Sequence, residues 1–232
     1  KIVDADPIVG IPKVIGTTTN LLWHSEKWSV KKFVYISSSM VYGDFVDGTK
    51  EDGKTKPKNI YGEAKLTGER MVKLFAKRDG LNYNIIRPSG VYGPGDSPDP
   101  MKTHAMNALI IKAILHKYKN QPIKVWGTGK PIREWIYVDD VAKIVMKSIK
   151  MTNLPEFINL GQQKGSSISQ TVKDLSKILK FDFKNIHFLT NLPDGDYKKV
   201  MSSKLFVKHF KNFKFINQIN GINKTIEYYK KI

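Results

Sequence analysis

Two short apolar runs, FVYIS (33–37) and YNIIRP (83–88), bracket an amphipathic stretch that reads as a helix over 60–78. Runs this short, rich in β-branched and aromatic residues, suit strands buried on both faces, and strands of that kind lie parallel with a helix crossing between them. A βαβ unit is therefore expected, and with it an α/β fold built on a parallel sheet covered by helices. The alternation continues downstream. GVYGPGDSPDP, with Gly90, Gly93, Gly95 and prolines 94, 98 and 100, must be a loop. After it come a helix over about 104–117, a strand at 123–126, a GTGKP turn, and a helix opened by Asp139 or Asp140 as N-cap. FINLG reads as another buried strand. Helices near 168–180 and 222–231 lie on either side of a Pro-Asp-Gly turn at 193–195.

A chain of 232 residues holds one large domain, or a core with a smaller lobe, and its 41% hydrophobic and 11% aromatic content is enough for a globular core. The absence of cysteine excludes a disulfide framework, thiol catalysis and Cys-ligated metal; it fits a reducing compartment, so a cytoplasmic location and no metal site are expected. No apolar run approaches the ~20 residues that span a bilayer, and KIVDADP is no signal peptide, so no membrane partner is expected. The formal charge of +18 raises the question of nucleic acid. The lysines are scattered, however, as in KKF, KTKPK, KYKN and YYKKI, with no arginine-rich arm or zinc-finger spacing, and no specific nucleic-acid role is expected. The charge reflects either a lysine-rich composition or attraction of a small anionic substrate such as a nucleotide.

Chemistry enters with NIYGEAK, where Tyr61 and Lys65 stand four apart on a helix and so share a face. A phenol titrates near ~10 in water, and an ammonium beside it favours the phenolate, which brings tyrosine towards general acid–base use. The spacing alone also arises by chance. Just upstream, YISSSMVYG puts Ser37, Ser38 and Ser39 at the carboxyl end of a strand, where open α/β sheets bind ligands, although a plain strand-end turn reads the same way.

Taken in order, KKFVYISSSMVYGD, NIYGEAKLTGER, NIIRPSGVYGPGD and REWIYVDDVA resemble the extended short-chain dehydrogenase/reductase superfamily of nucleotide-sugar epimerases, dehydratases and reductases. Within it, DSPDPMKTHAMNAL, VWGTGKPIREW and LPDGD look most like the GDP-L-fucose synthase group, which acts on GDP-4-keto-6-deoxy sugars. The resemblance implies a Rossmann-like, doubly wound core over 1–90, to which 137–161 returns. It implies a smaller substrate-binding domain over 91–136 and 162–232. It further implies that Ser38 hydrogen-bonds the reacting oxygen, that Tyr61 gives or takes its proton, and that Lys65 binds the nicotinamide ribose and lowers the tyrosine pKa. Pro88, Ser89, Gly90 and Val91 match a cofactor-contacting strand end, with Gly90 where asparagine is usual. His104 matches an acid used in epimerisation and lies among the cofactor contacts. Lys112, Trp126, Arg133 and Asp194 match positions that bind the nucleotide-sugar. Read without the family, Arg133 after a Gly-rich turn suits a pyrophosphate and Trp126 offers an apolar surface, but for each of the four taken alone the plainer reading, a surface charge or a core aromatic, is the one to prefer.

Two positions narrow the reaction. Fucose synthases use a cysteine base where this chain has Met40, and a thioether cannot abstract a proton, so epimerisation at C3 and C5 should be absent or severely weakened. Dehydratases place Asp and Glu where Ser39 and Met40 stand. What remains is NADP-dependent reduction of the 4-keto group or, alternatively, C4 epimerisation with bound NAD, in a homodimer formed through the two helices flanking the sheet. A third reading is a nucleotide-sugar-binding protein without catalysis. The Gly-rich turn that receives the cofactor pyrophosphate is not in this sequence, and VIGTTTNLL resembles the helix that precedes the FVYISS strand. An N-terminally truncated or processed form is expected, binding NADP poorly and leaving a sheet edge unpaired.

Overall fold

The computed structural model describes residues 6–45 and 48–232, and it opens with helix α1 (Pro7–Lys27). Asp6 starts that helix by accepting from Val9 N at 3.2 Å, and Pro7 occupies the first turn, where a missing N–H leaves no bond unmade. Next come β1 (Lys32–Ile36), a 3-10 turn at Ser39–Val41, α2 (Ile60–Asp79) and β2 (Asn82–Pro88). Local chemistry fixes both ends of α2. Asn59 Oδ1 accepts from Gly62 N at 2.8 Å, and Gly80 takes the left-handed conformation, φ 65°, that closes the last turn.

Onward the chain forms β3 (Gly90–Tyr92), α3 (Ala105–Lys119), β4 (Ile123–Trp126), β5 (Ile132–Arg133), β6 (Trp135–Tyr137), α4 (Val138–Lys150) and β7 (Phe157–Leu160). It ends with β8 (Ser166–Ser167), α5 (Ile168–Leu179), β9 (Ile186–Leu189), β10 (Lys198–Lys199), α6 (Lys204–His209) and α7 (Gln218–Tyr229).

Two units form. The first comprises Lys1–Ser89, Val141–Gly161 and Met201–Phe213; the second comprises Gly90–Asp140, Gln162–Val200 and Lys214–Ile232. The segment Met201–Phe213 thus folds with the first unit, not with the region to which sequence reading assigned it, and residues 137–140 fold with the second. In the first unit β2 is the central strand of a parallel sheet in the order β1-β2-β7, with Ile36 opposite Ile86 and Ile86 opposite Ile158. Leu22, Tyr35, Val72 and Ile85 are buried together, so α1 and α2 pack through one apolar cluster with β1 and β2. Complete burial of a side chain of this size contributes about 1.5–3 kcal/mol. The second unit pairs β3 with β6 and β4 with β9 in parallel, and sets β5 between β10 and β8. Its core joins α3 (Met106, Ile110), β4 (Ile123, Val125), α5 (Leu175) and α7 (Ile222, Ile226).

Several boundaries differ from the sequence reading. Asp139 and Asp140 lie in the first turn of α4, which begins at Val138, and neither caps it. Asp140 is instead buried and accepts from Ile216 N at 2.7 Å. The last helix starts at Gln218, because Asn217 caps it by accepting from Asn220 N at 2.8 Å. The expected loop from Gly90 begins as strand β3, whose three residues are too few to show a period. No helix among the described residues is long and apolar enough to cross a membrane.

Candidate active site

In the first unit, Ser37, Ser38 and Ser39 follow the last residue of β1. Ser38 is extended (φ −158°, ψ 150°) and buried, and its Oγ accepts from Met40 N at 3.2 Å, which leaves the hydroxyl proton available to donate. The turn that follows lies tight against the start of α2: a Cβ on Gly62 would stand 2.6 Å from the Met40 carbonyl oxygen and 2.9 Å from Pro57 Cβ. Glycine is what lets the two segments approach.

Tyr61 and Lys65 occupy the first two turns of α2, with Lys65 Nζ 5.9 Å from the Tyr61 ring centroid and 5.3 Å from that of Tyr35. The ammonium donates to Ile36 O at 2.9 Å, so it is tied to the carboxyl end of β1 while facing the tyrosine. Burial draws Lys65 below the usual lysine range, and the Glu69 carboxylate opposes that shift. Burial also pushes the Tyr35 phenol up to about 12, so it stays protonated at neutral pH. The neighbouring strand contributes Pro88, which is buried, and Ser89, whose N–H donates to Leu160 O at 3.0 Å. The Ser89 hydroxyl oxygen is buried and makes no hydrogen bond. An orphaned hydroxyl and a fixed ammonium at the carboxyl ends of adjacent parallel strands fit the ribose and nicotinamide end of a dinucleotide.

The second unit holds the other candidates. Gly90 and Val91 pair with Trp135 and Ile136 as β3 meets β6. His104 occupies the N-cap position of α3 without a side-chain capping bond, and Nδ1 meets Asp96 Oδ2 at 2.8 Å while 75% of the side chain remains exposed. Asp96 also accepts from the N–H groups of His104 (3.0 Å) and Ser97 (2.8 Å). Burial pushes its carboxyl up, but these hydrogen bonds prevail and hold it well below the usual carboxylate range. The carboxylate orients the imidazole through Nδ1. Lys112 Nζ donates to Lys124 O at 2.9 Å, which ties α3 to β4. Trp126 is 60% exposed at the end of β4. Arg133 NH1 donates to Ile132 O (2.9 Å) and Asp196 O (2.8 Å), and NH2 to Asp194 O (3.3 Å). The Asp194 carboxylate is engaged with Thr128, accepting from its N–H at 2.6 Å and its hydroxyl at 2.7 Å. The fold thus brings Arg133 and Asp194 together at the turn after Trp126.

Three residues escaped the sequence reading. Glu69 and Arg87 form a buried ion pair, NH2 to Oε2 at 2.6 Å, and Asp96 holds His104. A charge inside the apolar strand NYNIIRP was the available signal for the pair, because a buried guanidinium demands a partner. Nothing local marked Asp96.

The pattern that defines the NAD dependent epimerase/dehydratase family matches residues 5–161. Among curated proteins, a probable GDP-L-fucose synthase 1 from Oryza sativa subsp. japonica is 31% identical over 75% of this chain and 55% of its own length. The chain therefore spans little more than half of that relative. Among solved structures, UDP-glucose 4-epimerase with UDP-glucose from Thermotoga maritima is 27% identical, with a TM-score of 0.86 over 99% of this chain and 73% of that one. A GDP-L-fucose synthetase from Naegleria fowleri bound to NADP superposes with a TM-score of 0.86 over 97% of this chain and 74% of that one. At 21% identity the latter speaks for the shared Rossmann-like α/β fold alone.

Proposed function

The chain belongs to the NAD dependent epimerase/dehydratase family, and on that footing we propose that it carries the reacting centre of an NADP-dependent reductase of a nucleotide-linked 4-keto-6-deoxy sugar. The observation that supports this most is the Lys65 ammonium, fixed on Ile36 O at 2.9 Å and facing Tyr61, with Ser38 at the same strand end. In this reading the Ser38 hydroxyl donates to the sugar C4 carbonyl oxygen and polarises it. Tyr61 then passes its phenolic proton to that oxygen as the carbonyl becomes an alcohol, and Lys65 stabilises the phenolate left behind. When bound, the nicotinamide cofactor supplies the hydride that C4 receives. Lys65 also serves the nicotinamide ribose, and the unpartnered Ser89 hydroxyl lies on the strand end that meets the cofactor with Pro88, Gly90 and Val91.

Three of the five guanidinium donors of Arg133 are held by backbone carbonyls, which orients the remaining two for a diphosphate. Trp126 gives a base a flat apolar surface, Lys112 adds positive charge, and Asp194 shapes the turn between them through Thr128. Met40 removes the base needed for C3 and C5 epimerisation, so His104 has no partner for that reaction. The test is NADPH oxidation with a GDP-4-keto-6-deoxy sugar, in which Tyr61→Phe is expected to abolish turnover; a variant as active as the parent sinks the assignment. The likeness to the Thermotoga maritima enzyme favours a second reading, a C4 epimerase that keeps NAD bound. It would interconvert two nucleotide sugars with no net use of cofactor, whereas binding without chemistry would mark a protein that has lost catalysis. We also propose a homodimer through α1 and α2, supported by the apolar groove between Ile11, Ile15 and Ile60. Sedimentation that finds only monomer at micromolar concentration would refute it.

A further inference from the structure

Two turns beyond Tyr61, α2 carries Glu69, a carboxylate only 2% exposed and outside the proton path just described. It accepts from Arg87 through two bonds, Nε to Oε1 at 2.8 Å and NH2 to Oε2 at 2.6 Å, and from the Ser37 hydroxyl at 2.5 Å. Arg87 NH1 continues to Tyr42 OH at 2.8 Å, and that hydroxyl donates to Asn159 Oδ1 at 2.6 Å. Ser37 directly precedes Ser38, and Tyr42 directly follows the 3-10 turn, so both ends of the segment bearing Ser38 are fastened to one ion pair. On the helix itself, Glu69 lies one turn from Lys65 on the same face.

We propose that Glu69 is a positioning residue for Ser38, Tyr61 and Lys65: paired with Arg87, it fixes the Ser38 segment at both ends and sets the buried negative charge that faces the Lys65 ammonium. This rests on the reading of those three residues as the reacting centre. The groups that surround Lys65 show why the charge matters. From α2 come Tyr61 and Glu69, from β1 Tyr35 and the Ile36 carbonyl, and behind Glu69 on β2 stands Arg87. Thr18 of α1 meets the Tyr35 phenol and donates to Val14 O at 2.8 Å, and it brings no charge. Glu69 is the one carboxylate of this set, and its field opposes the burial that disfavours an ammonium. A carboxamide at this position offers one acceptor oxygen where Glu69 uses two, and it removes the charge that favours the Lys65 ammonium.

The test measures the two functions separately. In protein labelled at lysine Cε with carbon-13, the Lys65 resonance, assigned by its loss in Lys65→Arg, is titrated in the parent, in Ser37→Ala, in Glu69→Gln and in Glu69→Gln/Arg87→Met. The double variant removes the carboxylate without stranding a buried guanidinium, so it decides the question where the single variant fails to fold. The titration midpoint is expected to fall in both variants that lack the carboxylate and to stay at the parent value in Ser37→Ala. For the reduction, kcat should fall at least about tenfold while KM for the nucleotide-sugar stays within about twofold, because the lost interaction belongs to the proton-transfer step. An unmoved Lys65 midpoint in a folded variant lacking the carboxylate overturns the inference, and so does a loss confined to KM. Undiminished turnover in Tyr61→Phe would instead overturn the catalytic reading, and the carbon-13 titration would still decide whether Glu69 governs Lys65.

Discussion

Replacing Arg87 by methionine tests how much of the first unit rests on its buried ion pair. Arg87 and Glu69 have side chains only 3% and 2% exposed, so neither charge is relieved by water when the other is removed. The guanidinium makes two bonds to Glu69, one to Tyr42 OH and one to Glu51 O at 3.0 Å, and it lies 4.2 Å from the Phe157 ring centroid. Methionine retains most of the stem packing and deletes the charge. Glu69 is then left with the Ser37 hydroxyl, and breaking one side of a buried pair costs about 3–5 kcal/mol. Domains are stable by about 5–15 kcal/mol, so this is a large fraction of the whole. Adding Glu69→Gln should restore most of it, because two neutral groups of similar volume need no mutual compensation, and the double variant is expected within about 1–2 kcal/mol of the parent. Urea denaturation followed by amide hydrogen exchange in β1 and β2 reports on this unit alone. A single variant that loses less than about 1 kcal/mol, or a double variant that loses as much as the sum of the two singles, would refute the view that uncompensated charge dominates the cost.

Gly62→Ala should cost about 1–3 kcal/mol, because the new methyl meets the Met40 carbonyl at 2.6 Å and backbone must give way. It should also lower kcat by moving the Ser38 segment, and unchanged stability together with unchanged kcat would count against the tight approach. Asp96→Asn should destabilise the second unit at pH 7. The folded carboxyl of Asp96 lies below its unfolded value of about 3.9, so its contribution is complete above about pH 4 and is lost as acid protonates the folded form. Thermal unfolding of variant and parent should therefore converge as pH falls from about 4 towards 2, and a gap that stays constant with pH would show that the ionised form is not what matters.

The β1-α2-β2 segment was legible in the sequence because its signals are local: the period changes from strand to helix and back, and Tyr61 and Lys65 meet within one helix, whereas Met201–Phe213 joins the same unit only through contacts far along the chain. The short strands β5, β8 and β10 were not legible, since two residues carry no period and their pairing comes from partners far along the chain. Arg133 and Asp194 lie 61 residues apart, and sequence alone placed them in one family role without placing them side by side.

The three serines after β1 show how far local reasoning reaches and where tertiary contact must finish it. Successive side chains leaving an extended strand point to opposite faces, so Ser37 and Ser38 cannot serve the same neighbour. Ser37 turns to Glu69 under α2 at 2.5 Å, which commits its hydroxyl to the buried ion pair and takes it out of contention for a substrate. Ser38 must then face the other way, where its oxygen receives Met40 N and its proton is left over. Ser39 opens the 3-10 turn, so the alternation that separates its neighbours ends there. Choosing Ser38 from the sequence therefore required family likeness. In the folded chain Glu69, eight residues beyond Tyr61 on α2, engages the Ser37 hydroxyl, and that contact supports Ser38 as the proposed donor.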